Sequence, residues 1–182
     1  MNMKYLFRDL RADEIDVRVS RINESGCALL LYKDARCDMN ILDEAVGSMN
    51  WRREHTRDNA NCIVSLWDSE KKQWISKEDT GTESNTEKEK GLASDSFKRA
   101  CFNWGIGREL YTAPFIYIPY KYNGKLTGLV NISDAGNKRY VTKDRFEVTD
   151  IKIKNKVITA LTIFNTTQKV VAFRYLQESD AK

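Results

Sequence analysis

The order of hydrophobic and polar residues predicts two short strands and a helix near the start of the chain. Residues 15–19 alternate strictly between apolar and charged side chains, which is typical of a half-exposed strand. Residues 27–32 form a short apolar run and predict a second strand. Between residues 37 and 46 the apolar positions recur at helical spacing, and Gly47 is a natural end for a short helix.

The middle of the chain predicts an extended segment that turns back as a hairpin. The extended stretch begins at Trp51 and continues through residues 61–67. Residues 68–72 are all polar and predict a turn. Residues 73–78 then return as the partner strand of the hairpin.

The clearest predicted element is a long amphipathic helix over residues 86–104. Ser84, Asn85 and Thr86 are all possible N-caps, and Glu87 and Glu89 lie where the helix dipole favours carboxylates. Gly105 is a natural residue for the position that follows the helix. The apolar and small residues of one face recur at helical spacing: Leu92, Ala93, Ser96, Phe97, Ala100, Cys101 and Trp104.

The C-terminal third carries the pattern of consecutive strands. Strands are predicted over residues 145–153, 157–164 and 170–175, with polar turns between them. We therefore expect an α+β protein in which an antiparallel sheet packs on the long amphipathic helix, with a C-terminal strand-rich extension. Residues 1–176 are predicted to form a single domain, and residues 177–182 a polar tail.

The composition indicates a folded and mildly basic protein. The 182 residues are 41% hydrophobic and 31% charged, and the formal net charge is +4. Nine basic and four acidic residues fall in the stretch 113–156, so the positive excess is concentrated there. This stretch fits a solvated strand face or a basic wall for a polyanion, and charge alone does not decide between them. Apolar runs are too short for a membrane span or a signal peptide, so we expect a cytoplasmic protein without a membrane partner.

Several common kinds of catalytic and cofactor site are excluded by what the chain lacks. Its four cysteines (27, 37, 62 and 101) contain no C-x-x-C pair, and they are expected to be buried and reduced. His55 is the only histidine, and it lies among arginines whose charge is expected to lower its pKa. The sequence contains no phosphate-binding P-loop. We therefore predict no catalytic residue, no metal site and no cofactor.

Lys98 and Arg99 form the first candidate functional site. Both are expected to flank the apolar stripe of the long helix and to face outward, with Asp95 between them at i,i+3 and i,i+4 spacing. Phe102 is also predicted to face outward, where it would need a partner subunit or a base to stack on. The alternative is a surface ion-pair cluster of little energetic consequence.

The segment from Trp51 to Arg57 is the second candidate. As a strand, it would place Arg53, His55 and Arg57 on one face, and we predict Trp51 on the opposite face. Such a row suits backbone phosphates, because the guanidinium fork matches phosphate geometry. Arg52 is included as a further phosphate contact. The alternative is an edge strand that its charges protect from pairing.

Acidic residues before and within the start of the long helix offer a weaker alternative. Glu78, Asp79, Glu87 and Glu89 contain the carboxylates that a metal-dependent nuclease needs. Glu87 and Glu89 also have a structural explanation, because carboxylates are favoured in the first turn of a helix.

Several segments, in the right order, resemble the Rad fifty-two superfamily of single-strand annealing proteins, in particular its phage-encoded members. The helix segment 89–107 is similar to the family's signature of glutamate-lysine, a small residue before aspartate, lysine-arginine-alanine and an aromatic-x-glycine ending. Residues 34–36 and 42–51 resemble its second motif, an arginine and a short helix leading to glycine and asparagine-tryptophan. Residues 78–81 resemble the strand end before the helix. The resemblance covers roughly residues 15–110.

The resemblance implies a β-β-β-α core, a ring-shaped or filamentous homo-oligomer, and annealing of complementary DNA strands without ATP in recombination and repair. It also implies that Arg36, Lys98 and Arg99 line a groove that holds the DNA backbone. The first turns of the helix are acidic here, unlike those of the eukaryotic relatives. Lys138, Arg139 and Lys143, from the basic stretch, are predicted to form an outer rim for the same DNA.

Three other functions stay open at this point. The chain could be a monomeric protector of single-stranded nucleic acid, the metal-dependent nuclease described above, or a structural protein with a solvated charged surface. Candidate protein partners are an exonuclease, a recombinase loader and a single-strand-binding protein, and the sequence does not choose among them.

Overall fold

A computed structural model describes residues 7–82 and 88–177 of the protein. The chain is a mixed α+β protein, about 21% helix and 45% strand, and its sheets are antiparallel. It divides into two compact units. The helical unit consists of residues 34–108 together with the chain up to residue 9, and the strand unit consists of residues 10–33 and 109–182.

The helices are α1 (Ala35–Val46) and α2 (Lys88–Trp104), both in the helical unit. The strands are, in chain order, β1 (Asp16–Ile22), β2 (Gly26–Tyr32), β3 (Trp51–Thr56), β4 (Asn61–Asp68), β5 (Gln73–Thr80), β6 (Ile116–Pro119), β7 (Lys121–Tyr122), β8 (Lys125–Leu126), β9 (Ser133–Asp134), β10 (Tyr140–Val141), β11 (Phe146–Lys154), β12 (Val157–Asn165) and β13 (Val170–Leu176).

The helical unit contains a three-stranded antiparallel sheet in the order β3-β4-β5. The segment predicted as one extended stretch from Trp51 to residue 67 is in fact two strands. Arg57, Asp58 and Asn59 all have positive φ values and form a tight turn that pairs β3 with β4. The predicted hairpin of β4 and β5 is present, with Asp68 paired to Gln73 at its turn.

Helix α2 packs on this sheet through the stripe that its sequence predicts. Phe97, Ala100 and Cys101 are completely buried, and the indole Nε1 of Trp104 donates a hydrogen bond of 3.0 Å to the carbonyl oxygen of Val64 on β4. Gly105 ends the helix with a φ of 102°. The predicted N-cap residues and Glu87 lie outside the described residues, as do the side chains of residues 88–90.

The strand unit is built around a six-stranded antiparallel sheet in the order β13-β12-β11-β1-β2-β6. Its outer strands β13 and β6 approach each other, so the sheet nearly closes into a barrel-like form. Ile118, Ile158, Leu161 and Ile163 are among its fully buried side chains. The C-terminal strands were expected as an extension, but they form one sheet with the N-terminal strands because β1 pairs with both β2 and β11.

Two expectations about the interior and the surface can be compared directly with the structure. All four cysteines are buried and are not in disulfide bonds, as predicted. Among the described residues, neither helix is long and apolar enough to cross a membrane.

Candidate nucleic-acid interface

The charges of two candidate cations from separate parts of the chain act on one carboxylate at the start of α1. Asp34 is the N-cap of α1 and accepts a hydrogen bond from the backbone N–H of Arg36. The Arg36 guanidinium Nε lies 2.9 Å from Asp34 Oδ1, and Lys98 on α2 lies within electrostatic reach of the same carboxylate. The hydrogen bonds from Arg36, followed by the charges of Arg36 and Lys98, lower the pKa of Asp34. The Arg36 side chain is 83% exposed.

A third cation reaches the middle of α2 from β3. The guanidinium carbon of Arg53 lies 4.9 Å from the centroid of the Phe97 ring, and Phe97 directly precedes Lys98. Trp51 stacks on the same ring with centroids 6.2 Å apart. The prediction that Trp51 and Arg53 lie on opposite faces is therefore wrong. Residues two apart on a strand share a face, and here that face packs on α2.

Arg52 lies on the other face of the sheet. Its guanidinium carbon is 4.5 Å from the ring of Trp74, which meets Trp67 edge-on at 5.5 Å. Arg52 and Arg53 consequently cannot contribute to one row of phosphate contacts, because the pleat directs consecutive side chains to opposite faces.

Arg57 and His55 also differ from the predicted row. Arg57 is the first residue of the β3–β4 turn, with a φ of 51°, rather than the end of a strand. His55 is on β3, and its Nδ1 lies 3.4 Å from the hydroxyl of Ser96. The pKa of His55 is lowered, as predicted, but burial is the larger cause and the charge of Arg53 the smaller one.

Arg99 pairs with a carboxylate on its own helix. Its Nε lies 2.9 Å from Oδ2 of Asp95, which also accepts hydrogen bonds from the backbone N–H and the hydroxyl of Thr82. Burial raises the pKa of Asp95, but the hydrogen bonds from Thr82 and Arg99 outweigh it and leave the pKa lowered. The structure thus assigns Asp95 to Arg99 and places Lys98 near Asp34. We use the name α2 cation cluster for the four candidate cations that lie on α2 or next to it, which are Arg36, Arg53, Lys98 and Arg99.

Two further cations at the end of α2 were missed from the sequence. Lys77 Nζ and Arg108 Nη2 both donate to the carbonyl oxygen of Asn103, at 2.8 and 3.0 Å. Lys77 also lies 4.5 Å from the Trp104 ring. A signal for Arg108 was present in the sequence, because cations are favoured just after the last turn of a helix.

The remaining predicted cations belong to the strand unit. Lys138 has a φ of 58° in the β9–β10 turn, where the backbone N–H of Arg139 donates to the carbonyl oxygen of Gly136. Lys143 is exposed in the segment after β10.

The carboxylates of the nuclease alternative do not converge where the structure describes them. Glu78 Oε1 accepts a hydrogen bond from Asn61, whereas Asp79 accepts one from Asn103 on α2. Consecutive strand residues face opposite ways, so these two carboxylates diverge. Across residues 7–82 and 88–177, no three side chains of His, Cys, Asp or Glu are arranged to hold a metal ion.

Comparisons of the chain with models of protein families, with curated proteins and with solved structures found no match.

Proposed function

We propose that the protein binds single-stranded DNA through the α2 cation cluster and anneals complementary strands without ATP, as a homo-oligomer acting in recombination. The observation that supports the proposal is that Arg36 pairs with Asp34 while the charge of Lys98, from a different part of the chain, also acts on that carboxylate. The resemblance implies that both residues, which belong to two separate motifs, are groove residues.

The chemistry of the cluster suits a phosphate backbone. Three of its four members are arginines, and guanidinium groups bind phosphate oxygens in a bidentate way. Annealing forms and breaks no covalent bond. It requires only that the repulsion between two phosphate backbones is neutralised while the bases stay free to pair.

The three-stranded sheet offers a route to the proposed oligomer. β3 and β5 are its outer strands in the described part of the chain. An outer strand presents backbone N–H and C=O groups that can pair with another copy. A ring or filament would repeat a modest contact many times, so that avidity would compensate for a net charge of only +4.

The test uses the double variant Lys98→Ala with Arg99→Ala. Its control is Lys71→Gln with Lys72→Asn, which removes the same two charges from the exposed β4–β5 turn. Asparagine is chosen because residue 72 has a positive φ of 52°. Two complementary labelled oligonucleotides are followed as they anneal, without ATP, at two salt concentrations, with and without Mg²⁺. We expect wild type and control to accelerate annealing, less so at high salt. The α2 variant should lose most of its binding and acceleration.

The other outcomes decide among the alternatives. Binding by a monomer without acceleration would identify a single-strand protector, and size-exclusion chromatography reports the mass. Mg²⁺-dependent loss of the labelled strands would identify a nuclease. If the protein does not bind the oligonucleotides even at low salt, the remaining alternative is a structural protein. Equal affinity of the α2 variant and wild type would refute the assignment of the cluster.

A further inference from the structure

The strand unit carries four aromatic residues within one short segment, from the residue before β6 to the end of β7. We call this set the aromatic ribbon, and it consists of Phe115, Tyr117, Tyr120 and Tyr122. Phe115 is 79% exposed and Tyr122 is 71% exposed. Large aromatic side chains exposed to this degree, close together in the sequence, indicate a binding surface rather than chance.

Strand alternation explains why part of the ribbon faces outward. Ile116 and Ile118 of β6 are buried in the core, so Phe115 and Tyr117 lie on the opposite face. Their rings stack with centroids 6.3 Å apart and an interplanar angle of 13°.

Tyr117 has a structural role that Phe115 and Tyr122 lack. The Tyr117 ring covers Gly26 on the neighbouring strand β2, where an added Cβ would lie 2.6 Å from the tyrosine hydroxyl. An aromatic ring over a strand glycine is a known way to stabilise a sheet. Tyr117 is therefore held in place, and it orients the Phe115 ring that stacks on it. Neither this role nor core packing accounts for the exposed rings of Phe115 and Tyr122.

The surroundings of the ribbon are positively charged. Lys121 and Lys125 are exposed on the hairpin, and Lys121 Nζ lies 5.7 Å from the Tyr120 ring. Asn123 and Gly124, both with positive φ, form the hairpin turn. Residues 110–133 contain these two lysines and no acidic residue. Exposed rings interleaved with cations match a ligand that has flat aromatic groups and a negatively charged backbone.

We propose that the aromatic ribbon is a second contact for single-stranded nucleic acid, in which Phe115 and Tyr122 stack on bases and Lys121 and Lys125 bind phosphates. The choice of ligand rests on the proposed function. The contact itself is distinct, because the α2 cation cluster addresses phosphates, whereas the ribbon addresses bases.

This difference provides the test. Binding of the full chain is measured with a fluorescent oligothymidylate and with an abasic oligonucleotide of the same length. The abasic strand keeps the phosphates but has nothing to stack. Wild type is expected to prefer the oligothymidylate. In the variant Phe115→Ala with Tyr122→Ala, affinity for oligothymidylate should fall about 10-fold or more, since stacking contributes ~1–3 kcal/mol per base, while abasic affinity stays unchanged.

Further variants separate stacking from other effects. Phe115→Trp with Tyr122→Trp should keep the preference for bases, whereas Phe115→Leu with Tyr122→Leu should lose it while retaining apolar area. Leu126→Ala, an exposed apolar truncation on the same hairpin, should behave like wild type. Lys121→Gln with Lys125→Gln should weaken binding of both strands. Circular dichroism and urea unfolding check that each variant folds.

Each contrary result identifies what has failed. The ribbon proposal is overturned, and the α2 proposal stands, if the alanine variant binds oligothymidylate as wild type does. The same holds if its affinity falls equally for oligothymidylate and for the abasic strand. If the α2 variant binds normally but the ribbon variant does not, the ribbon stands and the α2 assignment fails. Wild type that binds neither strand overturns both. If the ribbon variants keep their affinity for both oligonucleotides but lose binding to anionic lipid vesicles, the ribbon is assigned to a membrane surface instead.

Discussion

Replacing Asp34 with asparagine should strengthen the binding of single-stranded DNA. Asp34 pairs with Arg36 and interacts electrostatically with Lys98, and its negative charge offsets part of the charge of these two proposed phosphate contacts. Asparagine keeps a side-chain oxygen for the backbone N–H of Arg36, and it is as good an N-cap as aspartate. The substitution therefore removes the charge while leaving the start of α1 intact. Few substitutions in a binding surface are expected to improve binding, so an increase in affinity would be an informative result.

The magnitude follows from the geometry of the Asp34–Arg36 pair. The carboxylate lies 2.9 Å from Nε, so a phosphate bound on the opposite side of the guanidinium would be about 6 Å from the carboxylate. At that distance in water the repulsion is about 0.7 kcal/mol, which is about a threefold change in affinity. Screening at physiological salt reduces it to about twofold. The loss of an exposed ion pair should change the free energy of unfolding by less than about 1 kcal/mol.

The assay is fluorescence anisotropy with a labelled oligothymidylate at low and at physiological salt. Glu70→Gln is the matched control, because it makes the same chemical change at an exposed residue of the β4–β5 turn. We expect the gain in Asp34→Asn alone, and more of it at low salt. Weaker binding by a folded Asp34→Asn would show that the carboxylate orients Arg36 for DNA. Unchanged binding would show that DNA does not approach Arg36.

Two further predictions concern stability. Because the pKa of His55 is lowered in the folded state, the unfolded chain binds a proton first as the pH falls below about 6.5. As the pH falls from that value to the folded pKa of His55, this difference in proton binding progressively lowers the free energy of unfolding. His55→Asn should flatten this part of the urea stability profile, and a profile parallel to wild type would contradict the assignment. Gly26→Ala should cost about 1–3 kcal/mol of unfolding free energy, because its Cβ would clash with the Ile118 carbonyl and the Tyr117 hydroxyl. If a Tyr117→Ala background does not recover part of that loss in urea unfolding, the clash with the ring is not its cause.

Local patterns were sufficient to find most of the helices and strands. Glycine and apolar spacing placed α1 and the end of α2, and polar turns separated the three C-terminal strands close to their observed bounds. The turn at residues 57–60 was missed, although Asp58 and Asn59 are residue types that favour turns. The error about Trp51 was also avoidable, since residues 51 and 53 must share a face of any regular strand.

Sequence patterns did not predict which distant segments of the chain pair with each other. Nothing in the alternation of β1 says that it pairs with β11, so the C-terminal strands were predicted as an extension. The separation of Arg52 from Arg53 follows from the pleat alone, but only the packing of α2 decides that Arg53 lies on the helix side of the sheet. The aromatic ribbon was likewise hidden, because exposure depends on what the rest of the fold covers.

By itself, the sequence determined the local elements, the buried cysteines, the mild basic charge and the candidate cations. These depend on residue type and on short periodic spacing, which are properties of neighbouring residues. Only the tertiary structure decided that the charge of Lys98 acts on Asp34, that Arg99 pairs with Asp95, and that β1 and β2 join the C-terminal strands. Such contacts join residues far apart in the chain, and they form because burying apolar surface selects one arrangement of elements among many that the local patterns allow.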